Sequence, residues 1–286
     1  MSSAEPLPTA STSRPGSRRG LRARLRGVLR APAVGLVILG GFPLVLLGRL
    51  LLGGAPRVRA RFTANFFSGW ARLVLRLLNV RVETSGGPPR PPFLLVANHL
   101  SYLDVLVLAS RLPCIFVSKA EVRGWPLLGP ICTVLGTLYI DRGQRRDIPR
   151  VMAGIEAALD RGLGVVFFPE GTSSKGETVA PFKPSLLELP VRLGRPVHHA
   201  TLGYRTPPGE PPAQEAVCFA GDVPFARHAW GILELRGIVA SLHLDPEPIA
   251  EADRKLLAER LRGAILARFA PVARAQGVDH RMDRGA

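Results

Sequence analysis

Ala97-Asn98-His99-Leu100-Ser101-Tyr102-Leu103-Asp104 follows directly on the apolar run Phe93 to Val96 and sets a histidine and a carboxylate five residues apart. A helix advances about 100° per residue, so a five-residue step does not stack two side chains on one face. The spacing suits a histidine in the loop after a strand and an aspartate in the first turn of a helix. Ser101-x-x-Asp104 reads as a capping box ahead of the apolar run Val105 to Ala109. At the positive end of that helix Asp104 stays ionised and accepts a hydrogen bond from one ring nitrogen of His99. The other nitrogen is then a base directed at a hydroxyl. The bland reading of the same residues is a helix cap beside an unrelated histidine.

Outward from this stretch, short β-rich runs alternate with helical ones. Strands are predicted at 93–96, 115–117, 137–140, 164–168, 197–204, 216–220 and 239–244, and helices at 104–110, 127–135, 148–161, 185–193 and 250–269. Such alternation predicts an α/β fold, a mostly parallel sheet flanked by helices, with functional loops at the strand ends. Three further stretches suit phosphate chemistry. Gly136 to Ile140 is a strand followed by Asp141 and Arg142. Phe168-Pro169-Glu170-Gly171-Thr172-Ser173 leaves a buried strand through a glycine turn. Pro181-Phe182-Lys183-Pro184 sets a cation before a helix. Any one of them alone reads as a surface turn.

The 286 residues suffice for a substantial core, and 47% hydrophobic content excludes a mostly disordered chain. A net charge of +16, carried mainly by arginine, suits phosphate or anionic lipid. Zinc-finger spacing, RNP-like aromatics and basic heptads are missing, which disfavours nucleic acid as a partner. Cys114, Cys132 and Cys218 are odd in number and lie in apolar settings, as small core residues do. No Gly-x-Ser-x-Gly elbow, His-Glu-x-x-His, Gly-Lys-Ser/Thr phosphate loop or dinucleotide fingerprint occurs. His198 and His199 point to opposite faces of a strand, so no metal site is expected.

The N-terminal third has a different character. Residues 1–30 are rich in Ser, Pro and Arg and are expected to form a disordered basic tail. Ala33 to Leu52 is apolar except for Arg49, about long enough to span a bilayer. Arg57, Arg59 and Arg61 make its second flank basic too, which fits a segment that re-enters at Pro43 or lies in one leaflet. Phe62 to Leu78 is amphipathic, suited to an interface or to domain packing. The resulting division is membrane-associated helices over 31–80, a catalytic domain over 81–270 and a flexible tail over 271–286.

The order Asn98-His99-(four residues)-Asp104, Gly136 to Arg142, then Phe168-Pro169-Glu170-Gly171-Thr172 resembles the glycerolipid and lysophospholipid acyltransferases of the 1-acylglycerol-3-phosphate type. The resemblance covers roughly residues 80–245. It implies a membrane-bound O-acyltransferase of phospholipid biosynthesis, without a cofactor, taking an acyl group from acyl carrier protein or coenzyme A. His99 and Asp104 are its implied catalytic pair. Arg142, Glu170, Gly171, Thr172, Ser173 and Lys183 are the expected acceptor and phosphate contacts, and Asn98 and Gly171 the oxyanion candidates. The expected acceptor is 1-acylglycerol-3-phosphate, at the cytoplasmic face of the inner membrane. Two departures bear on it: Ser173 stands where phosphatidic-acid-forming members usually have Arg, and His199 replaces the second proline of Pro-Val-x-Pro. Ornithine-lipid relatives carry small hydroxyl residues at the first position, so lyso-ornithine lipid is the alternative acceptor. A non-catalytic lipid-binding membrane protein is the alternative of another class.

Overall fold

The computed structural model describes residues 20–141, 147–221 and 223–272. Five consecutive buried residues, Phe93–Ala97, form β2, the middle of a seven-stranded sheet. The other strands are β1 (Val80–Gly86), β3 (Cys114–Lys119), β4 (Leu138–Ile140), β5 (Gly164–Phe167), β6 (Val197–Arg205) and β7 (Ile238–Leu244). Their order is β1-β7-β6-β2-β5-β3-β4, parallel throughout except for the antiparallel β6–β7 pair. β2 is flanked by β5 and β6, with Leu95 opposite Val166 on one side and His198 on the other.

Alternation along β2 divides the core in two. Phe93, Leu95 and Ala97 face a cluster with Val107, Leu108, Phe67 and Val74, while Leu94 and Val96 face one with Ile155, Leu187 and Leu261. The first layer is built by α1 (Leu21–Leu51), α2 (Pro56–Leu77), α3 (Leu103–Arg111) and α8 (Phe225–Glu234), the second by α5 (Asp147–Asp160), α6 (Pro184–Arg192) and α9 (Arg254–Arg268). The short helices α4 (Leu128–Val134) and α7 (Ala213–Ala216) lie in connections. Helices on both faces explain why strands in the middle of the sheet read as continuous apolar runs.

Several expectations are corrected. Residues 21–30 are helical, because Arg26 and Arg30 reach across to the carbonyls at the C-terminal end of α8: Glu234 O at 2.9 Å and Leu235 O at 2.6 Å. The helix runs unbroken through Pro32 and Pro43, and the chain turns back only between Leu52 and Ala55. α2 is a core helix. Its Phe67, Trp70, Val74 and Leu75 are buried and it packs on α3, so a boundary at residue 80 cuts through the domain. β1 and α8 were not expected, and 216–220 is no strand: Ala216 ends α7, and Phe219 N–H donates to Leu100 O. Val272 is buried and tied to Gly176 O at 2.8 Å, so the domain extends past residue 270. Residues 1–19 of the predicted tail and 273–286 of the C-terminal one lie outside the described residues.

Candidate active site

β2, β3, β5 and β6 run parallel, so their C-terminal ends open on one edge of the sheet, where α/β folds place their sites. Asn98 and His99 leave β2 there, Lys119 ends β3, and Phe168-Pro169-Glu170 leaves β5. His99 Nδ1 lies 2.8 Å from Asp104 Oδ2, and the same oxygen accepts the N–H groups of Leu100 at 2.7 Å and Ser101 at 2.9 Å. The last contact is the reciprocal half of the capping box, with the aspartate reaching back to the Ser101 amide. Asp104 Oδ1 accepts the Tyr204 hydroxyl at 2.7 Å, so both oxygens of a fully buried carboxylate have partners. Burial, and then the Asp104 charge, push the Tyr204 phenol well above its ordinary range. It therefore stays a donor.

The imidazole is also fixed in plane. It stacks on Phe168 with centroids 4.1 Å apart and planes 13° from parallel. Its side chain keeps 21% exposure against none for Asp104. With Nδ1 committed to the carboxylate, Nε2 is the nitrogen left for a substrate proton.

Glu170 was expected among the acceptor contacts, but it is buried beneath the histidine loop. Oε1 accepts His99 N–H at 2.7 Å and Oε2 accepts Ala180 N–H at 2.9 Å, joining two loops that begin at different strands. Burial raises its carboxyl pKa, and the two backbone N–H groups offset part of that. Ser173 also turns away: its hydroxyl donates to Phe219 O. Asn98 is buried, and its side-chain amide pairs in both directions with Leu202, at 2.9 and 2.7 Å. Gly171, at φ 82°, donates its N–H to Phe168 O at 3.1 Å, a turn that favours glycine. Both oxyanion candidates thus have these groups engaged in the scaffold.

Gly171, Thr172 and Lys183 line a pocket of about 260 Å³ together with Lys119, Glu121, Ile140 and Asp141. Arg142 falls outside the described residues. Lys119 and Glu121 escaped the sequence reading, although a cation closing a predicted strand is the same signal that drew attention to Arg142. Tyr204 and Phe168 sit at ends of predicted strands, and nothing local marks their reach to Asp104 and His99. Among the described residues no group of His, Cys, Asp and Glu is arranged to hold a metal ion.

A mostly parallel sheet domain carrying a histidine–aspartate pair at its strand ends, with the imidazole partly exposed and its Nδ1 held by the carboxylate, is of the class that activates a bound hydroxyl. An acyltransferase family profile matches residues 79–202. The chain is 37% identical to the lyso-ornithine lipid O-acyltransferase of Pseudomonas aeruginosa over 89% of its own length and 98% of the relative's. It is 30% identical to the 1-acyl-sn-glycerol-3-phosphate acyltransferase of Neisseria meningitidis, over 75% of this chain and 83% of that one. The crystal structure of the 1-acyl-sn-glycerophosphate acyltransferase PlsC from Thermotoga maritima has the same fold, with a TM-score of 0.61 at 19% identity, covering 90% of this chain and 98% of that one. The chain belongs to the acyltransferase family.

Proposed function

We propose that this chain transfers a fatty acyl group from a thioester donor, acyl carrier protein or coenzyme A, to the free hydroxyl of a lysolipid at a membrane. The observation that carries this reading is the His99–Asp104 pair, with the imidazole clamped by Phe168 and Glu170 beneath its backbone. His99 Nε2 takes the hydroxyl proton as the oxygen attacks the thioester carbonyl. The C–S bond breaks from the tetrahedral intermediate, and the imidazolium returns the proton to the leaving thiolate. Asp104 stabilises that imidazolium and holds its tautomer. A positioned base contributes about 10²–10⁴-fold, so orientation of the two substrates supplies much of the remainder. A scaffold protein has no use for this pair, which weighs against the non-catalytic alternative.

For the acceptor, the pocket favours lyso-ornithine lipid over 1-acylglycerol-3-phosphate, reversing the order expected from the sequence. Among the described residues, Lys119, Lys183, Glu121 and Asp141 line it, two cations and two carboxylates that suit the carboxylate and ammonium of an ornithine headgroup. A phosphate dianion would meet both carboxylates. Ser173, bonded to Phe219, supplies no cation in place of the missing arginine. The P. aeruginosa relative that matches nearly end to end bears the same acceptor in its name.

Helix α1 is long and apolar enough to cross a membrane by length and composition, and only 11% of its most apolar window is buried. We place it in the bilayer, with the site at the cytoplasmic face. The test is an assay of membranes against both lysolipids with both donors. Turnover of neither lysolipid by wild type, or full turnover by His99→Ala, would overturn the reading.

A further inference from the structure

Between the pocket and α1 lies a short loop that neither fold nor site explains. A 3-10 turn over Ala120–Gly124 carries the chain from Lys119, at the pocket, to Trp125-Pro126-Leu127 and then into α4. Trp125 is 39% exposed and Leu127 51%. Leu127 has φ 63° and ψ −52°, and Leu128 N–H donates to Pro126 O at 2.7 Å, closing a γ-turn with positive φ. Only Asn79 shares a positive φ among the described residues that are not glycine. That conformation is rare and strained for a branched side chain, and such strain persists where the surroundings enforce it.

The surroundings here are rigid. A Cβ at Gly129 would come within 2.1 Å of Arg123 O, so α4 packs directly on the preceding turn. Tyr139 and Thr133 both donate to Gly129 O. The fold thus holds a leucine and a tryptophan outward on a braced turn.

We propose that Trp125 and Leu127 insert into the anionic bilayer, as a second membrane contact beside the mouth of the site. Three observations favour lipid as the occupant. Arg123, two residues before Trp125, and Arg227, two residues after the Phe225 on which Trp125 packs, are both exposed and offer the cations that anionic headgroups take. Trp125 packs on Phe225 of α8 with centroids 6.0 Å apart, and Phe225 on Tyr102 at 4.9 Å, so the loop stands beside the His99 loop. Helix α1, which carries the exposed leucines Leu36, Leu39 and Leu47, touches both α4 and α8, the helices adjoining the pair. Insertion here would hold the pocket against the lipid surface from which a lysolipid enters. The inference rests on the membrane reading of α1 given above.

The test uses the full chain and vesicles of phosphatidylethanolamine and phosphatidylglycerol with brominated acyl chains. Wild-type tryptophan fluorescence should be quenched, and Trp125→Phe should remove a distinct part of that quenching. Leu127→Asp should raise the apparent KM for vesicle-borne lysolipid about tenfold and leave kcat on detergent-dispersed acceptor unchanged. Quenching identical in wild type and Trp125→Phe, with both proteins sedimenting with vesicles, would overturn the inference while sparing the membrane reading. Failure of wild type to sediment would remove that reading as well. A Leu127→Asp effect confined to the KM of the thioester donor would assign the loop to the donor and also overturn the proposal.

Discussion

The Tyr204 hydroxyl, at the C-terminal end of β6, donates to Asp104 Oδ1 at 2.7 Å, on the opposite oxygen from the one that holds His99. Each donor on the carboxylate draws charge from the other contacts. Tyr204→Phe removes one donor and leaves Oδ1 of the carboxylate that orients His99 without its partner. The kcat should therefore fall through looser orientation of the imidazole, with KM for the lysolipid unchanged. A buried acceptor left unpaired costs about 1–3 kcal/mol, so the variant should also melt earlier. An unchanged kcat in a variant that melts earlier would reduce Tyr204 to a packing residue.

The pair itself admits a sharper result. His99→Ala should lower kcat by about 10²–10⁴-fold, the range of a positioned general base. Since the imidazole is partly exposed and Asp104 keeps its Leu100, Ser101 and Tyr204 donors, the fold should survive. Asp104→Asn should lose activity and stability together, because an amide cannot accept all these donors. Single-turnover rates and thermal melts of the two purified variants separate the cases.

Glu170 links stability to pH with a definite sign. Burial raises its folded-state pKa, so its contribution to stability is full below the ordinary glutamate value, about 4.3, and is lost as pH rises through the raised value. The wild-type melting temperature should carry a falling component just above that value, and Glu170→Gln should lack it. The amide also turns an N–H donor towards the backbone N–H of His99 or Ala180, and kcat should fall roughly tenfold through displacement of the loop. Equal pH dependence in both proteins would contradict this account of the carboxylate.

What the sequence discloses is local. The β2–α3 turn was legible because a strand end, a five-residue spacing and half a capping box occur within a dozen residues. β1 was hidden because Arg81, Glu83 and Ser85 break up the continuous apolar run that marks the central strands, on an edge strand paired only with β7. Roles that depend on distant contacts left no pattern. Asn98 meets Leu202 and Glu170 meets the His99 amide across long sequence separations, so a motif residue read as a ligand contact is instead part of the scaffold. The same holds for α2, whose apolar stripe fits a bilayer as well as a core until α3 is seen against it.

Ser173 is the position at which acceptor choice can be read directly. Its hydroxyl is held by Phe219 O, and Phe219 packs on Tyr102 at 5.5 Å, within the loop that carries His99. An arginine there removes this hydroxyl contact and adds a cation next to Thr172, which lines the pocket. With a phosphate acceptor the added guanidinium supplies a charge-assisted hydrogen bond worth about 1.5–3 kcal/mol, so Ser173→Arg should lower KM for 1-acylglycerol-3-phosphate by about tenfold or more. With lyso-ornithine lipid it repels the headgroup ammonium and unseats Phe219, so kcat/KM should fall. We expect wild type to prefer lyso-ornithine lipid in direct competition and Ser173→Arg to shift that preference towards the phosphate. Preference of the wild type for 1-acylglycerol-3-phosphate would show that Lys119 and Lys183 outweigh Glu121 and Asp141 in the pocket, and would restore the order expected from the sequence.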